Sequence, residues 1–262
     1  MKTTIQYGLL VGAMLVACHS QGQEAEAAKS DGIEKSISLG ATLTDGNSET
    51  MLANGSLLIA GEKEKLGSFK TGIEGNYGEN TIRETVTAPD GTVTETERDD
   101  KSVANAKAYA NVKKTLSPMT FAYLDGSVIH DAMSEIAYRA IVGPGVGMYL
   151  IKNDRRNLSV EAGVAQVWEE VADIEDDYLA LRLAEVGECK FENGARVWQS
   201  IEFMPEVSDF DNHLINAELG VEAPLQGAMN LRVVLQDKYD SEPGAGLERN
   251  DLTLIAGVSI KL

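Results

Sequence analysis

Three stretches of the chain carry residue types that chemistry could use. His130, Asp131 and Ser134 lie close together and hold the three side chains of a hydrolase triad. A triad needs its base to reach the nucleophile and a third group to orient the base. Here the three fall in one short connection with no oxyanion-hole signature, which favours a polar hairpin tip. Glu169, Glu170, Asp173, Glu175, Asp176 and Asp177 offer carboxylate oxygens of the kind that hard divalent cations prefer. Their spacing departs from the D-x-D-x-D-G calcium loop, which leaves diffuse attraction of cations to an acidic surface. Gly143-Pro144-Gly145-Val146-Gly147 is glycine-rich, as a phosphate cradle is, but no Lys-Ser/Thr follows and no helical pattern begins. It reads as a strand bulged or kinked at Pro144. His19 and His213 are isolated, and no His/Cys group has metal-ligand spacing. These residues predict no catalysis, no cofactor and no dedicated metal site.

The elements that hold these residues follow from charge and periodicity. The 262 residues include 23 Lys+Arg against 41 Asp+Glu, a net charge of −18. Such a chain offers no basic patch for phosphates, so nucleic acid is excluded as a partner. Met1-Lys2-Thr3-Thr4 followed by the apolar run Ile5–Ala17 reads as a signal peptide over residues 1–27, with Ala25-Glu26-Ala27 fitting small-x-small cleavage. Leu15-Val16-Ala17-Cys18 also fits a lipobox, making Cys18 a possible lipidation site and leaving the processing route open. Either route leaves Cys189 as a lone thiol, so the fold is expected to hold without a disulfide. Residues 28–35 read as a flexible leader.

From residue 36 to 262 the apolar signal has period two. Ile37, Leu39, Ala41 and Leu43 alternate with Ser36, Ser38, Gly40 and Thr42; the final residues do the same from Leu252 to Leu262. Turn signals divide the chain into twelve expected strands near 36–45, 50–61, 66–78, 101–114, 119–130, 135–151, 157–168, 177–188, 195–204, 213–223, 228–239 and 251–262. Short connections (62–65, 115–118, 152–156, 189–194, 224–227) alternate with mostly longer ones (46–49, 79–100, 131–134, 169–176, 205–212, 240–250). An even number of strands with short turns at one rim and long loops at the other predicts an antiparallel transmembrane β-barrel. The long-loop rim is acidic, and the short-turn rim carries Lys63, Lys65, Lys113, Lys114, Lys152, Arg155, Arg156 and Lys190. Lys70, Glu74, Lys107, Arg139, Glu161, Arg182, Glu202, Glu218, Glu222, Arg232 and Lys238 fall opposite the apolar positions. In a barrel these are lumen charges, five acids against six bases, able to pair across it. Trp168 and Trp198 fit interface anchors or core packing equally well.

Leu39-Gly40-Ala41-Thr42-Leu43-Thr44-Asp45-Gly46-Asn47-Ser48-Glu49 resembles the opening hairpin of the salt-induced outer membrane protein family, a bacterial family of unknown function. Tyr138-Arg139 with Gly143, Gly145, Gly147 and Tyr149, then Val160-Glu161-Ala162-Gly163, is similar to its middle segment. Asp237-Lys238-Tyr239-Asp240-Ser241-Glu242-Pro243 with Asn250-Asp251 resembles its ending. The resemblance implies an outer-membrane β-barrel of a Gram-negative-type bacterium and no particular activity.

Three readings of function follow. The first is a narrow cation-favouring channel or structural envelope component. Its partners would be outer-membrane lipid, lipopolysaccharide, the barrel-insertion machinery and cations. The second is a surface-binding or adhesive module acting through the acidic loops, 79–100 above all. The third is a soluble or lipid-anchored periplasmic β-protein, which rests on the 6% aromatic content and on Cys18.

Overall fold

The structure, a computed structural model, describes residues 32–44, 49–63, 66–87 and 93–262. Twelve strands follow one another: β1 (Ile33–Thr44), β2 (Glu49–Lys63), β3 (Gly67–Thr87), β4 (Val93–Thr115), β5 (Thr120–Asp131), β6 (Ile136–Lys152), β7 (Arg156–Val171), β8 (Ile174–Lys190), β9 (Arg196–Pro205), β10 (His213–Pro224), β11 (Met229–Asp240) and β12 (Asn250–Lys261). Each pairs antiparallel with its neighbours in sequence, and β1 pairs with β12, closing the sheet. The all-β antiparallel barrel expected from period two is the fold observed. Closure leaves no sheet edge to protect. At the seam the ladder runs only from Ser36↔Lys261 to Leu39↔Val258, continued by the Leu262 N–H donating to the Lys35 carbonyl at 2.9 Å.

Alternation sorts the side chains onto two faces. Leu124, Val128, Val142, Val146, Val164 and Leu183 are exposed on the outside, an apolar band with no protein against it. The core lies inside the barrel instead. Val167, Tyr178, Ala180, Met204 and Leu214 form a buried cluster with Ile141 against it, toward the end where the longer loops lie. The lumen, expected to be polar and charge-paired, is therefore apolar in that region. The two tryptophans separate: Trp168 stands 42% exposed on the outer face, and Trp198 points into the lumen, where its indole N–H bonds Glu218. Outside, near the loop end, the His213 ring lies 5.6 Å from both Phe203 and Tyr239.

The structure corrects four details. The expected loop 79–100 is mostly strand, because β3 and β4 continue as a hairpin of 21 and 23 residues past a register shift at Gly78/Glu79. Its Thr-rich, β-branched sequence explains the extension, since Thr suits strands as well as it suits loops. The expected loop 169–176 shrinks to the turn Ala172-Asp173, with φ of 51° and 63°. Positive φ at both central residues is the geometry of a tight hairpin turn, usually marked by Asn-Gly and here unmarked. Third, β1 begins at Ile33, inside the expected leader. Fourth, β6 runs through Pro144 without a bulge there, in register with Leu124 of β5.

The Pro144 result has a steric cause. Gly145 and Gly147 face inward opposite Tyr123 and Phe121, and a Cβ on either glycine would overlap the ring lying across it. The glycines make room for flat aromatic side chains on the inner wall, while Pro144 faces out. The same arrangement recurs where Gly220 lies beneath Trp198.

Candidate functional site in the lumen

The charges expected in the lumen sort into three distinct arrangements, with Glu74 standing apart across from Lys107 in the β3–β4 register. The first is a chain of ion pairs across the barrel. Lys113 Nζ on β4 donates to Glu161 Oε1 on β7 at 2.6 Å, and Arg182 on β8 donates to Glu161 Oε2 at 2.9 Å and to Glu202 on β9. The Arg182 guanidinium also lies 5.0 Å from the Tyr123 ring, and Lys113 lies 4.5 Å from Phe121. The rings accommodated by Gly145 and Gly147 thus form a floor under the cations. The Glu161 side chain is 2% exposed. A carboxylate so desolvated is tolerable only with both oxygens matched, as they are here.

The second arrangement closes the loop end. Arg139 on β6 bonds Glu169 on β7, and its Nη2 donates to Asp240 on β11 at 2.7 Å. Lys238 on β11 faces Asp131 at the end of β5 at 3.6 Å, and Ser134 Oγ donates to Asp251 on β12 at 3.0 Å. In the barrel order, β11 and β12 stand opposite β5 and β6, so these contacts span the mouth from wall to wall. The β11–β12 connection reinforces the bridge, with Gly244 packed near Glu135 and Ala172 in the turns opposite. Beneath this bridge lies the apolar cluster around Val167.

The third arrangement lies toward the short-turn end. Two guanidiniums approach the Trp198 ring, Arg196 at 4.8 Å and Arg232 at 5.3 Å. Arg196 pairs with Glu188 and Glu222, each at 3.2 Å. Glu218 accepts the Trp198 indole at 2.6 Å and the Gln236 amide at 3.0 Å, one on each oxygen. Lys70 and Lys107 approach the Tyr109 ring at 5.7 Å and 5.8 Å. A cavity of ≈ 30 Å³ lies beside Arg232, lined also by Ser38, Asn54, Ser56, Glu74, Asn76 and Gln236. That space holds a few waters at most.

Several partners in these arrangements escape a reading by loops and rims. Lys113 fell on the basic rim and Glu169 in an acidic loop, yet both are inward strand residues with ionic partners. Following the alternation of Asn105, Lys107, Tyr109 and Asn111 two residues further would have placed Lys113 inside. Glu188, Arg196, Asp131 and Asp240 sit at strand ends, where alternation stops discriminating.

The other chemically suggestive residues do not converge. His130 Nδ1 lies 2.9 Å from the Ala137 carbonyl and Ser134 bonds Asp251, so neither addresses the other. Glu170, Asp173, Glu175, Asp176 and Asp177 divide between the two faces of β7 and β8 and the turn joining them. Among the described residues, no group of three His, Cys, Asp or Glu side chains is placed to hold a metal ion. Cys189 is buried and is not a free thiol, which corrects the lone cysteine expected from the sequence. Cys18, the signal segment and the lipobox lie outside the described residues.

Comparison with known proteins agrees with this architecture. A family model described as a protein of unknown function, DUF481, matches residues 37–261. Among solved structures, a NanC porin superposes with a TM-score of 0.50 at 9% identity, over 87% of this chain and 100% of that one. A KdgM porin gives 0.43 at 9% identity, over 87% and 98%. A porin refined at 1.8 Å gives 0.40 at 9% identity, over 88% and 99%. At 9% identity the likeness to the NanC porin is one of fold alone. Against curated proteins the chain finds no sequence match.

Proposed function

Because the chain belongs to the DUF481 family, whose description assigns no function, we propose a role from its own geometry: an outer-membrane β-barrel whose lumen is closed at the loop end and passes at most small ions at rest. The wall-to-wall contacts Arg139–Asp240 and Lys238–Asp131 above the apolar cluster carry this reading. The exposed outer band supports the membrane placement, since an array of Leu and Val facing water would expose apolar surface that lipid tails would cover. Lipid tails against that band, lipopolysaccharide against the acidic loop rim and the insertion machinery during assembly are the partners this placement brings.

The acidic rim draws cations toward the mouth, but the lumen does not extend that preference. Around Tyr109 and Trp198 the cations Lys70, Lys107, Arg196 and Arg232 stand among the acids Glu74, Glu188, Glu218 and Glu222, so that part of the lumen favours neither sign. We therefore assign selectivity to the rim alone and expect it to fade with salt. Recording from purified protein in planar bilayers tests the reading. Silence or small, brief openings are expected; a large steady conductance like that of an open porin would overturn it.

A second reading is favoured by the length of the β3–β4 hairpin. A membrane-spanning strand needs about 9–11 residues, so 21 and 23 residues carry this hairpin well past the rest of the barrel. It offers a projecting surface for adhesion. Deleting residues 82–98 should abolish surface attachment if that reading holds, and unchanged attachment would remove it.

A further inference from the structure

We propose that the short-turn half of the lumen is a binding site for a small anion carrying carboxylate or phosphate oxygens, held by Lys70, Lys107 and Arg232 beside Tyr109 and Trp198. The inference goes beyond the closed-barrel reading and starts from an imbalance in hydrogen bonding. Lys113, Arg139, Arg182, Arg196 and Lys238 each have a carboxylate within 4.0 Å. Among the described residues, none lies within 4.0 Å of Lys70, Lys107 or Arg232. Their neighbours are rings and, for Arg232, the Ser38 hydroxyl at 3.4 Å.

The acids that face this group, Glu74 and Glu218, bring negative charge near it but form no ion pair with it. Glu218 gives one oxygen to the Trp198 indole and the other to the Gln236 amide. Glu222 and Glu188 are taken by Arg196. Glu74 stands across from Lys107 in the β3–β4 register but does not reach it. Three lysine or arginine head groups, with up to eleven N–H donors between them, thus lie beside two rings and, for Arg232, a polar cavity, without an ion pair. An anion supplies acceptors that fixed carboxylates elsewhere in the barrel already provide.

The surroundings suit such a ligand. Arg232 lines a cavity with Ser38, Ser56, Asn54, Asn76 and Gln236, which offer hydroxyl and amide donors, and Glu74 adds one carboxylate to its wall. Its ≈ 30 Å³ limits the bound part to a small anion or the charged end of a larger one. Lys70 lies three residues from the start of β3 and is exposed, so entry is from the short-turn side, away from the bridged mouth.

Calorimetric titration of the detergent-folded full chain with inorganic phosphate, and separately with malonate, tests the site and tells the two sources of oxygen apart. Saturable binding of at least one is expected, weakening as sodium chloride is raised. R232Q and K107Q should each weaken it about tenfold, the effect of losing one charged hydrogen bond, while R232K should keep most of it. Flat titrations with both anions overturn the proposal, as does wild-type affinity in a K70Q/K107Q/R232Q variant that still shows heat-modifiable gel migration. The measurement needs no conductance, so a silent bilayer and a flat titration are separate failures.

Discussion

Arg182 touches two carboxylates and an aromatic ring, and Arg139 touches two carboxylates, whereas Lys70, Lys107 and Arg232 touch rings and a hydroxyl. The residue types are the same on the two sides of the lumen; the solvent differs. Around Glu161 and Arg182 the side chains are 2% and 9% exposed, so a charge there must find its counterion in the protein. Around Lys70 the lumen is open to the short-turn end, and water can solvate an ammonium that no carboxylate meets. Burial therefore decides which charges of a barrel are structural and which remain available to a ligand.

The sharpest way to break this comparison is to remove one cation from each side. Arg182→Leu takes the cation from Glu202 and leaves Glu161 with Lys113 alone, and should cost about 3–5 kcal/mol of stability, read by urea unfolding in micelles. Lys107→Gln should fall within about 0.5 kcal/mol, as substitutions outside a paired network usually do. Equal losses in the two variants would mean that the open side is as structural as the closed one.

Next in size is the bridge at the mouth. Arg139→Gln keeps a polar side chain but loses the charge that ties β6 to Asp240. A hydrogen bond between charged groups contributes about 1.5–3 kcal/mol, so the population of the open mouth should rise at least about tenfold. More frequent openings in bilayer recordings would show this. If Arg139→Gln is as silent as the parent, the apolar cluster beneath closes the lumen without help from the bridge.

A third test concerns the aromatic floor under the paired cations. Gly145→Val places methyl groups where the Tyr123 ring lies and should destabilise the barrel by about 1–3 kcal/mol through overpacking. Tyr123→Ala in the same chain should relieve part of that loss, because the two changes share one space.

Much of this was legible in the alternation of residue types. The strand number, the closure of the sheet and the inward set from Lys70 to Lys238 all follow from period two and from connection lengths. What sequence could not mark was geometry without a residue signature. The tight turn at Ala172-Asp173 uses neither Gly nor Asn, so Glu169 read as a loop acid when it is the partner of Arg139. The Thr-rich stretch after Gly78 suits loop and strand alike, which hid the extended hairpin. Gly143-Pro144-Gly145-Val146-Gly147 looked like a defect because the rings that fill the space above Gly145 and Gly147 come from β5, more than twenty residues earlier in the sequence. The pairing of Arg139 with Asp240, which joins strands across the barrel, has no local trace.

The smallest effect is expected at the turn between β7 and β8. Glu175, Asp176 and Asp177 are exposed and spread along a strand, so they present no common point to a cation. Replacing all three by their amides should change stability by less than about 0.5 kcal/mol, and added calcium should leave the melting temperature of parent and variant alike. A calcium-dependent rise in the parent that disappears in the variant would show that a cation gathers these carboxylates into a site. That result would move the comparison outward, because the acidic rim would then bind a specific ion of its own in addition to lending a diffuse field to the mouth.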